Sequence, residues 1–244
     1  MNELFGILIL LFIVAFFYSS VGHGGASGYI AVLSILGISA VLIKPSALLL
    51  NIFVAGIAFY LYYRNGHFRW KLFYPFAILS IPMAYLGSFV DLDPTWYKRI
   101  LGICLLVATL RIIGVFNRKE TVVTRQLPLI TGILIGVVLG FISGMIGIGG
   151  GILLSPLILL FNWGNLKETS AVSALFIVVN SIAGIVGLWK QNIVWHPQVY
   201  LWVGVAIAGG FLGSYWGSGK AINTTLKNVL ASVLFLAALK LIFI

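Results

Sequence analysis

The chain has 244 residues, of which 61% are hydrophobic and only 8% charged, and its mean hydropathy is +1.13. A soluble domain cannot cover so much apolar side chain with so few charges, so the composition indicates a protein whose main solvent is lipid. The formal charge of +10 comes from basic residues in short loops between apolar runs, a pattern typical of cytoplasmic loops that argues against nucleic acid as a partner. The single cysteine, Cys104, excludes an internal disulfide or a CxxC redox pair.

The first half of the chain contains five apolar runs. The N-terminus lacks the basic start of a signal peptide, so we interpret the first run as a retained membrane segment. That run stops at the cluster Gly22-His23-Gly24-Gly25, and the second run, which Gly37 interrupts, stops at Lys44-Pro45. The five runs cover residues 4–21, 26–43, 46–63, 72–90 and 97–116.

The second half repeats this order. Residues 127–146 lead into Gly147-Ile148-Gly149-Gly150-Gly151, which lies 125 residues after the first cluster, and the motif at 211–215 matches that at 85–89 with an offset of 126. Similar spacing over several motifs predicts a duplication. The predicted parts are a first transmembrane repeat (1–116), a cytoplasmic linker (117–126) and a second transmembrane repeat (127–244).

The number of runs predicts the topology. Each half holds about five hydrophobic helical segments, and an odd number of segments inverts the second repeat. With both termini outside the cytoplasm, ten basic residues fall on the cytoplasmic side and five on the other, which agrees with the positive-inside rule. The predicted fold is therefore an all-α polytopic membrane protein with two inverted repeats, and with helix breaks or hairpins at the glycine motifs.

The glycine clusters predict broken backbone at membrane depth. Glycine costs about 1 kcal/mol relative to alanine inside a helix, and such breaks are tolerated in a membrane where they are buried or line a cavity. In transporters, helices that begin at such breaks direct their positive ends at anions. Replacing Gly149 or Gly150 with valine is therefore expected to abolish transport. The regularly spaced glycines, in contrast, predict helix packing, and we expect Gly136→Ala to be mild. They are Gly132, Gly136, Gly140, Gly144, Gly209, Gly213 and Gly217.

These motifs resemble those of the TauE/SafE sulfite-exporter-like permeases. The resemblance rests on the cluster Gly147–Gly151 with the following Pro156, on Ser170-Ala171 and Asn180-Ser181 with Gly184, and on the weaker first copy. It implies a permease of the inner (cytoplasmic) membrane for sulfite, sulfonates or related small organosulfur anions. The first copy departs from the second, with His23 between its glycines and Ala26 at the position of Gly151.

Few polar residues lie inside the apolar runs. His23 is the ionisable residue deepest in one, so we expect it to contact the anion or to take up a coupled proton. Asn51 and Asn180 recur in both halves, whereas the tyrosines and tryptophans near run ends are interpreted as interfacial anchors, and His67 and His196 as solvated. The candidate substrate-binding residues are Gly22, His23, Gly24, Gly25, Ser27, Asn51, Gly147, Gly149, Gly150, Gly151 and Asn180.

The sequence favours a secondary transporter that moves a small sulfur-containing anion by alternating access. A passive anion channel is an alternative that the sequence does not separate from it. A membrane-embedded enzyme would need a metal cluster, a carboxylate pair or a reactive thiol within the membrane, and no Asp or Glu falls inside a run. The expected partners are the anion and the lipid bilayer, with no cofactor or metal, and a homodimer is left open.

Overall fold

The computed structural model describes residues 2–90, 106, 109 and 125–243, and these form an all-α bundle. Within this described part, four helices are long and apolar enough to cross a membrane, which confirms a polytopic membrane protein. Apart from residues 106 and 109, the fifth predicted run (97–116) lies outside the described residues, as do Cys104 and most of the predicted linker. The helices are α1 (Asn2–Ser20), α2 (Ala26–Ile35), α3 (Ala40–Arg64), α4 (Trp70–Gly87), α5 (Leu129–Ile146), α6 (Gly151–Leu160), α7 (Leu166–Trp189), α8 (Val199–Tyr215), which a π-helical turn (Trp216–Lys220) extends, and α9 (Asn223–Phe243).

Both glycine clusters break helices, as their composition predicts. α1 ends at Ser20 and α2 begins at Ala26, while α5 ends at Ile146 and α6 begins at Gly151. The residues that precede the two new helices, Gly25 and Gly150, have φ angles of +96° and +74°. Side-chain-bearing residues are strained in this left-handed region, so glycine is what allows the chain to turn sharply at both places.

Each break is followed by a helix of only half the membrane's thickness. α2 and α6 each have ten residues, which corresponds to about 15 Å against about 30 Å of hydrocarbon. α2 returns along α1, because a Cβ on Gly28 would lie 2.5 Å from Cγ1 of Val14. The first break therefore joins a long helix to a short one that folds back toward its start.

The prediction that the second run extends to residue 43 is wrong. α2 ends at Ile35, and α3 begins at Ala40 after a turn in which Gly37 has a φ of +74°. Lys44 and Pro45 lie inside α3 and do not separate two runs. Proline can be accommodated near the start of a helix, where few intrahelical donors are lost, so this dipeptide was a poor boundary signal.

α3 and α7 cross the bundle in opposite directions. At one end, which we call the Ser88 face, the carbonyl of Ser88 accepts hydrogen bonds from Lys44 near the start of α3 and from Gln191 just after α7. At the other end, the Ser218 face, the carbonyl of Ser218 contacts His67 just after α3 and accepts from Lys167 near the start of α7. The two long central helices are therefore antiparallel.

The predicted glycine stripes pack helices backbone to backbone. A Cβ on Gly136, Gly140 or Gly144 of α5 would collide with a backbone carbonyl oxygen of α4. Gly209, Gly213 and Gly217 face backbone carbonyls of α1 in the same way. The expectation that Gly136→Ala is mild is wrong, because its methyl group would meet the backbone of Phe76, which cannot swing aside as a flexible side chain can.

Several aromatic and histidine side chains also differ from their predicted surroundings. The side chains of Tyr18 and Tyr62 are buried inside the protein, and the Tyr62 hydroxyl donates to the Ser20 carbonyl at 2.5 Å. His67 is half-buried against Ser218, and burial lowers its pKa although the contact with the Ser218 carbonyl opposes the shift. His196 stacks on Trp202 with 4.3 Å between ring centroids. Spacing along the chain does not show which side of a helix faces lipid. The burial of these side chains could therefore not be predicted from the sequence.

Candidate functional site

The two breaks lie side by side, and Asn51 of α3 bonds to both. Its Oδ1 accepts from the backbone N–H of Ala26, the first residue of α2, at 3.0 Å. Its Nδ2 donates to the carbonyl of Ile148, inside the second break, at 3.1 Å. Asn51 is fully buried, so one amide side chain satisfies a donor of one break and an acceptor of the other where water does not reach.

The N-terminal ends of α2 and α6 both lie about halfway along the central helices. Ala26 is bonded to Asn51, which is near the middle of α3. A Cβ on Gly151, the first residue of α6, would contact Ile177, which is near the middle of α7. Each helix start exposes backbone N–H groups without intrahelical partners and carries about half a positive charge. Two such ends near each other favour a small anion.

His23 connects the first break to helices of the second half. Its Nε2 lies 2.8 Å from Oγ of Ser155 in α6, and that hydroxyl donates to Oγ of Ser173 in α7 at 2.7 Å. The imidazole is 1% exposed. His23 belongs to the first break, but it is held by side chains of α6 and α7, the helices that follow the second break.

A small cavity of about 10 Å³ lies between the breaks. It has room for about one water molecule, so a multi-atom oxyanion requires the site to open. Tyr18 at its edge hydrogen-bonds to Ser27 at 2.8 Å. Its lining consists of Tyr18, His23, Gly24, Gly25, Ala26, Ser27, Ile148, Ile152 and Ile177.

The remaining predicted residues lie around this cavity in different roles. Gly24 and Gly149 touch the Asn51 amide, so both breaks approach it closely. Gly22 packs against the backbone of Ser170, and Gly147 against the side-chain stem of Lys44, toward opposite ends of the bundle. Gly150 faces Phe176, while Gly151 begins α6.

Asn180 does not mirror Asn51. Its Nδ2 donates to the carbonyl of Phe176, one turn earlier in its own helix, at 2.9 Å. Its Oδ1 is buried and has no hydrogen-bond partner among the described residues. Asn51 and Asn180 were predicted to occupy corresponding positions in the two halves. Asn51 joins the two breaks, whereas Asn180 bonds only within its own helix.

Sequence reasoning missed Tyr18 and the isoleucines of the lining. Ile148 was visible between the glycines of the second cluster, and Tyr18 stands five residues before His23, where its hydroxyl interrupts an apolar run. A tyrosine next to a predicted break is the signal that could have identified Tyr18. Ile152 and Ile177 carry no such signal, because an apolar lining residue looks like any other membrane residue.

The family model described as "Sulfite exporter TauE/SafE" matches residues 7–241. The chain is 36% identical to the probable membrane transporter protein y4hK of Sinorhizobium fredii, over 99% of both chains. It is 30% identical to the probable membrane transporter protein YjnA of Bacillus subtilis, over 91% of this chain and 92% of the relative. YdhB of the same organism, also a probable membrane transporter, is 27% identical over 94% and 95%. No solved structure matches the chain.

Proposed function

Because the chain belongs to the sulfite exporter TauE/SafE family, we propose that this membrane transporter moves a small sulfur-containing anion such as sulfite, thiosulfate or a small sulfonate. The observation that carries the proposal is that two helix N-termini meet at a small buried cavity. Asn51 bridges the two breaks from which these helices begin. Paired positive helix ends and backbone N–H groups that lack intrahelical partners suit an oxyanion without a buried arginine or lysine. Gly22, Gly147 and Asn180 are proposed to support this site from its surroundings.

The antiparallel course of α3 and α7 supports an inverted repeat. These are the long helices that follow each break, and their N-terminal ends lie at opposite faces of the bundle. The first helix of each half also packs on a late helix of the other half, α1 on α8 and α5 on α4, as an inverted pair would. We therefore retain 1–116 and 127–244 as repeats around a linker at 117–126.

The distribution of charge supports an orientation in the cytoplasmic membrane. The Ser88 face carries Lys44 and Lys190, and the Ser218 face carries the larger basic group, so the positive-inside rule assigns the Ser218 face to the cytoplasm. This group consists of Arg64, Arg69, Lys71, Arg125, Lys167 and Lys220.

This orientation predicts which added cysteines an impermeant maleimide reaches. In a Cys104→Ser background, Lys190→Cys should react in intact cells, whereas Lys71→Cys should react only after permeabilisation. Both lysines are exposed and lie at opposite ends of the bundle, so they form a matched pair. The reverse pattern would overturn the orientation, and equal labelling of both in intact cells would overturn the inverted arrangement.

Transport by the purified protein in proteoliposomes tests the function. We expect uptake of labelled sulfite, thiosulfate or methanesulfonate that saturates with concentration and requires the protein. Uptake that rises without saturation would favour the passive anion channel, and recovery of chemically altered label would favour the membrane-embedded enzyme. Failure to move any of the three anions would contradict the proposed substrate class.

A further inference from the structure

The chain of hydroxyls beside His23 determines where the proton of its neutral ring lies. Ser155 Oγ donates its hydrogen to Ser173 Oγ. A hydroxyl has a single proton, so toward His23 Nε2 the same oxygen can only accept. Nε2 therefore carries the ring hydrogen, and Nδ1 has a lone pair. The tautomer follows from this network.

Nδ1 is a buried acceptor without a hydrogen bond. It has no hydrogen-bond partner of acceptable geometry among the described residues, although the backbone of Gly151 lies near the ring. The residue lines the cavity between the breaks. A lone pair repels the oxygens of an oxyanion, so the neutral ring cannot bind the anion through Nδ1. The same nitrogen can bind it once it has gained a proton.

In the part of the chain that the structure describes, no neighbouring group supplies a negative counter-charge for a protonated ring. Among the described residues, the titratable side chains that pack near this ring are Tyr18 of α1, at 6.5 Å between ring centroids, and Tyr29 of α2, which lies beside Gly25. The other elements that pack here present hydroxyl and amide groups: Asn51 of α3, Ser155 of α6 and Ser173 of α7.

Lys44, which packs on the second break, is itself a cation and therefore cannot act as the counter-charge of a protonated ring. Lys44 passes Gly147 with its stem and directs its ammonium to the Ser88 carbonyl. Within the described residues no carboxylate contacts His23. A buried imidazolium without an anion is costly, and the positive helix ends raise that cost.

We infer that Nδ1 of His23 takes up a proton together with the anion, so that the coupled ion is a proton and Ser155 and Ser173 are positioning residues. This inference rests on the proposed function. The proton enters from the aqueous side and forms an N–H bond at the Nδ1 lone pair, which donates to an anion oxygen. On the other side the proton and the anion leave, and the ring returns to the Nε2–H form. Anion and proton each lower the cost of binding the other, which is thermodynamic coupling.

Nitrogen NMR of the histidine ring tests the assignment directly. The chain has three histidines, so the variant with His67→Gln and His196→Gln leaves His23 as the one labelled ring. Without ligand we expect a proton on Nε2 and none on Nδ1. Saturating thiosulfate should add a proton to Nδ1 at a pH at which the ring is otherwise neutral. A ligand-free Nδ1–H form, or an unprotonated Nδ1 with thiosulfate bound, would overturn the inference.

Proton movement with thiosulfate tests the coupling. Thiosulfate stays ionised near neutral pH, so its own protonation does not confuse the result. With the membrane potential clamped at zero, an outside-acid gradient of one pH unit should drive about tenfold accumulation of thiosulfate when one proton accompanies each anion. Uptake of thiosulfate without accumulation or internal acidification would overturn coupling and leave the proposed function intact. Absence of uptake would count against the function, while the ligand-free NMR spectrum would still decide the tautomer.

Variants distinguish a role of Ser155 in positioning the His23 ring from a purely structural role. His23→Gln should abolish accumulation, while His67→Gln and His196→Gln should retain it. Ser155→Ala removes the acceptor of Nε2–H, so the NMR spectrum should show a mixture of tautomers and accumulation should fall. Ser155→Thr keeps the hydroxyl and should restore the Nε2–H form. An unchanged tautomer in Ser155→Ala would show that this serine does not position the ring.

Discussion

Replacing Asn51 with leucine is expected to abolish anion transport and to lower the melting temperature clearly. The change leaves the N–H of Ala26 and the carbonyl of Ile148 buried without partners. Each unsatisfied group costs about 1–3 kcal/mol, so the expected loss of stability is about 2–6 kcal/mol. Thermal unfolding of the purified protein and uptake by proteoliposomes measure the two effects.

Two further substitutions control this result. Asn51→Asp keeps an acceptor for Ala26 but loses the donor to Ile148 and adds a negative charge at the proposed anion site, so transport should fall further than stability. Asn180→Leu removes only a bond within α7, and its Oδ1 already has no partner among the described residues. The melting temperature of Asn180→Leu should therefore change less. An Asn51→Leu protein as stable as Asn180→Leu would show that the bridge does not hold the breaks.

Gly149→Val is the second change for which we expect complete loss of transport. Gly149 has a φ of +74°, and a Cβ there would lie 2.8–2.9 Å from Ile177, the Asn51 amide and the Ser181 hydroxyl. A branched side chain is strained at this φ, and its methyl groups would separate the second break from Asn51. Uptake of labelled thiosulfate measures the loss.

Gly204→Val serves as the matched control for this glycine. Gly204 lies in α8, and a Cβ at this position would have nothing within 4 Å, so transport should persist. Gly24→Ala tests the first break without the strain of a positive φ, because its methyl group would collide with the Asn51 side-chain amide. If Gly24→Ala inserts normally and transports at the normal rate, close approach of the breaks to Asn51 is unnecessary.

The sequence allowed the helix breaks and the packing stripes to be predicted, because glycine has few other uses inside a membrane helix. Clustered glycines at 22–25 and 147–151 end helices where expected, and spaced ones such as Gly140 meet a neighbouring backbone. The start of α3 could not be predicted, since Lys44-Pro45 is compatible with a loop and with a first helical turn. Contacts such as that between His23 and Ser155 join residues 132 positions apart, and no local pattern encodes them.

The glycine stripes also determine which parts of the bundle can move as rigid bodies. α1 is locked to α8, and α4 to α5, at backbone contact distance, so shear within either pair would drive carbonyls into the neighbouring helix. Each locked pair takes one helix from each half of the sequence. Opening of the cavity between the breaks would then move the α1–α8 pair against the α4–α5 pair, with the broken segments at Gly22 and Gly147 as hinges. The two predicted repeats would then not be the bodies that move against each other.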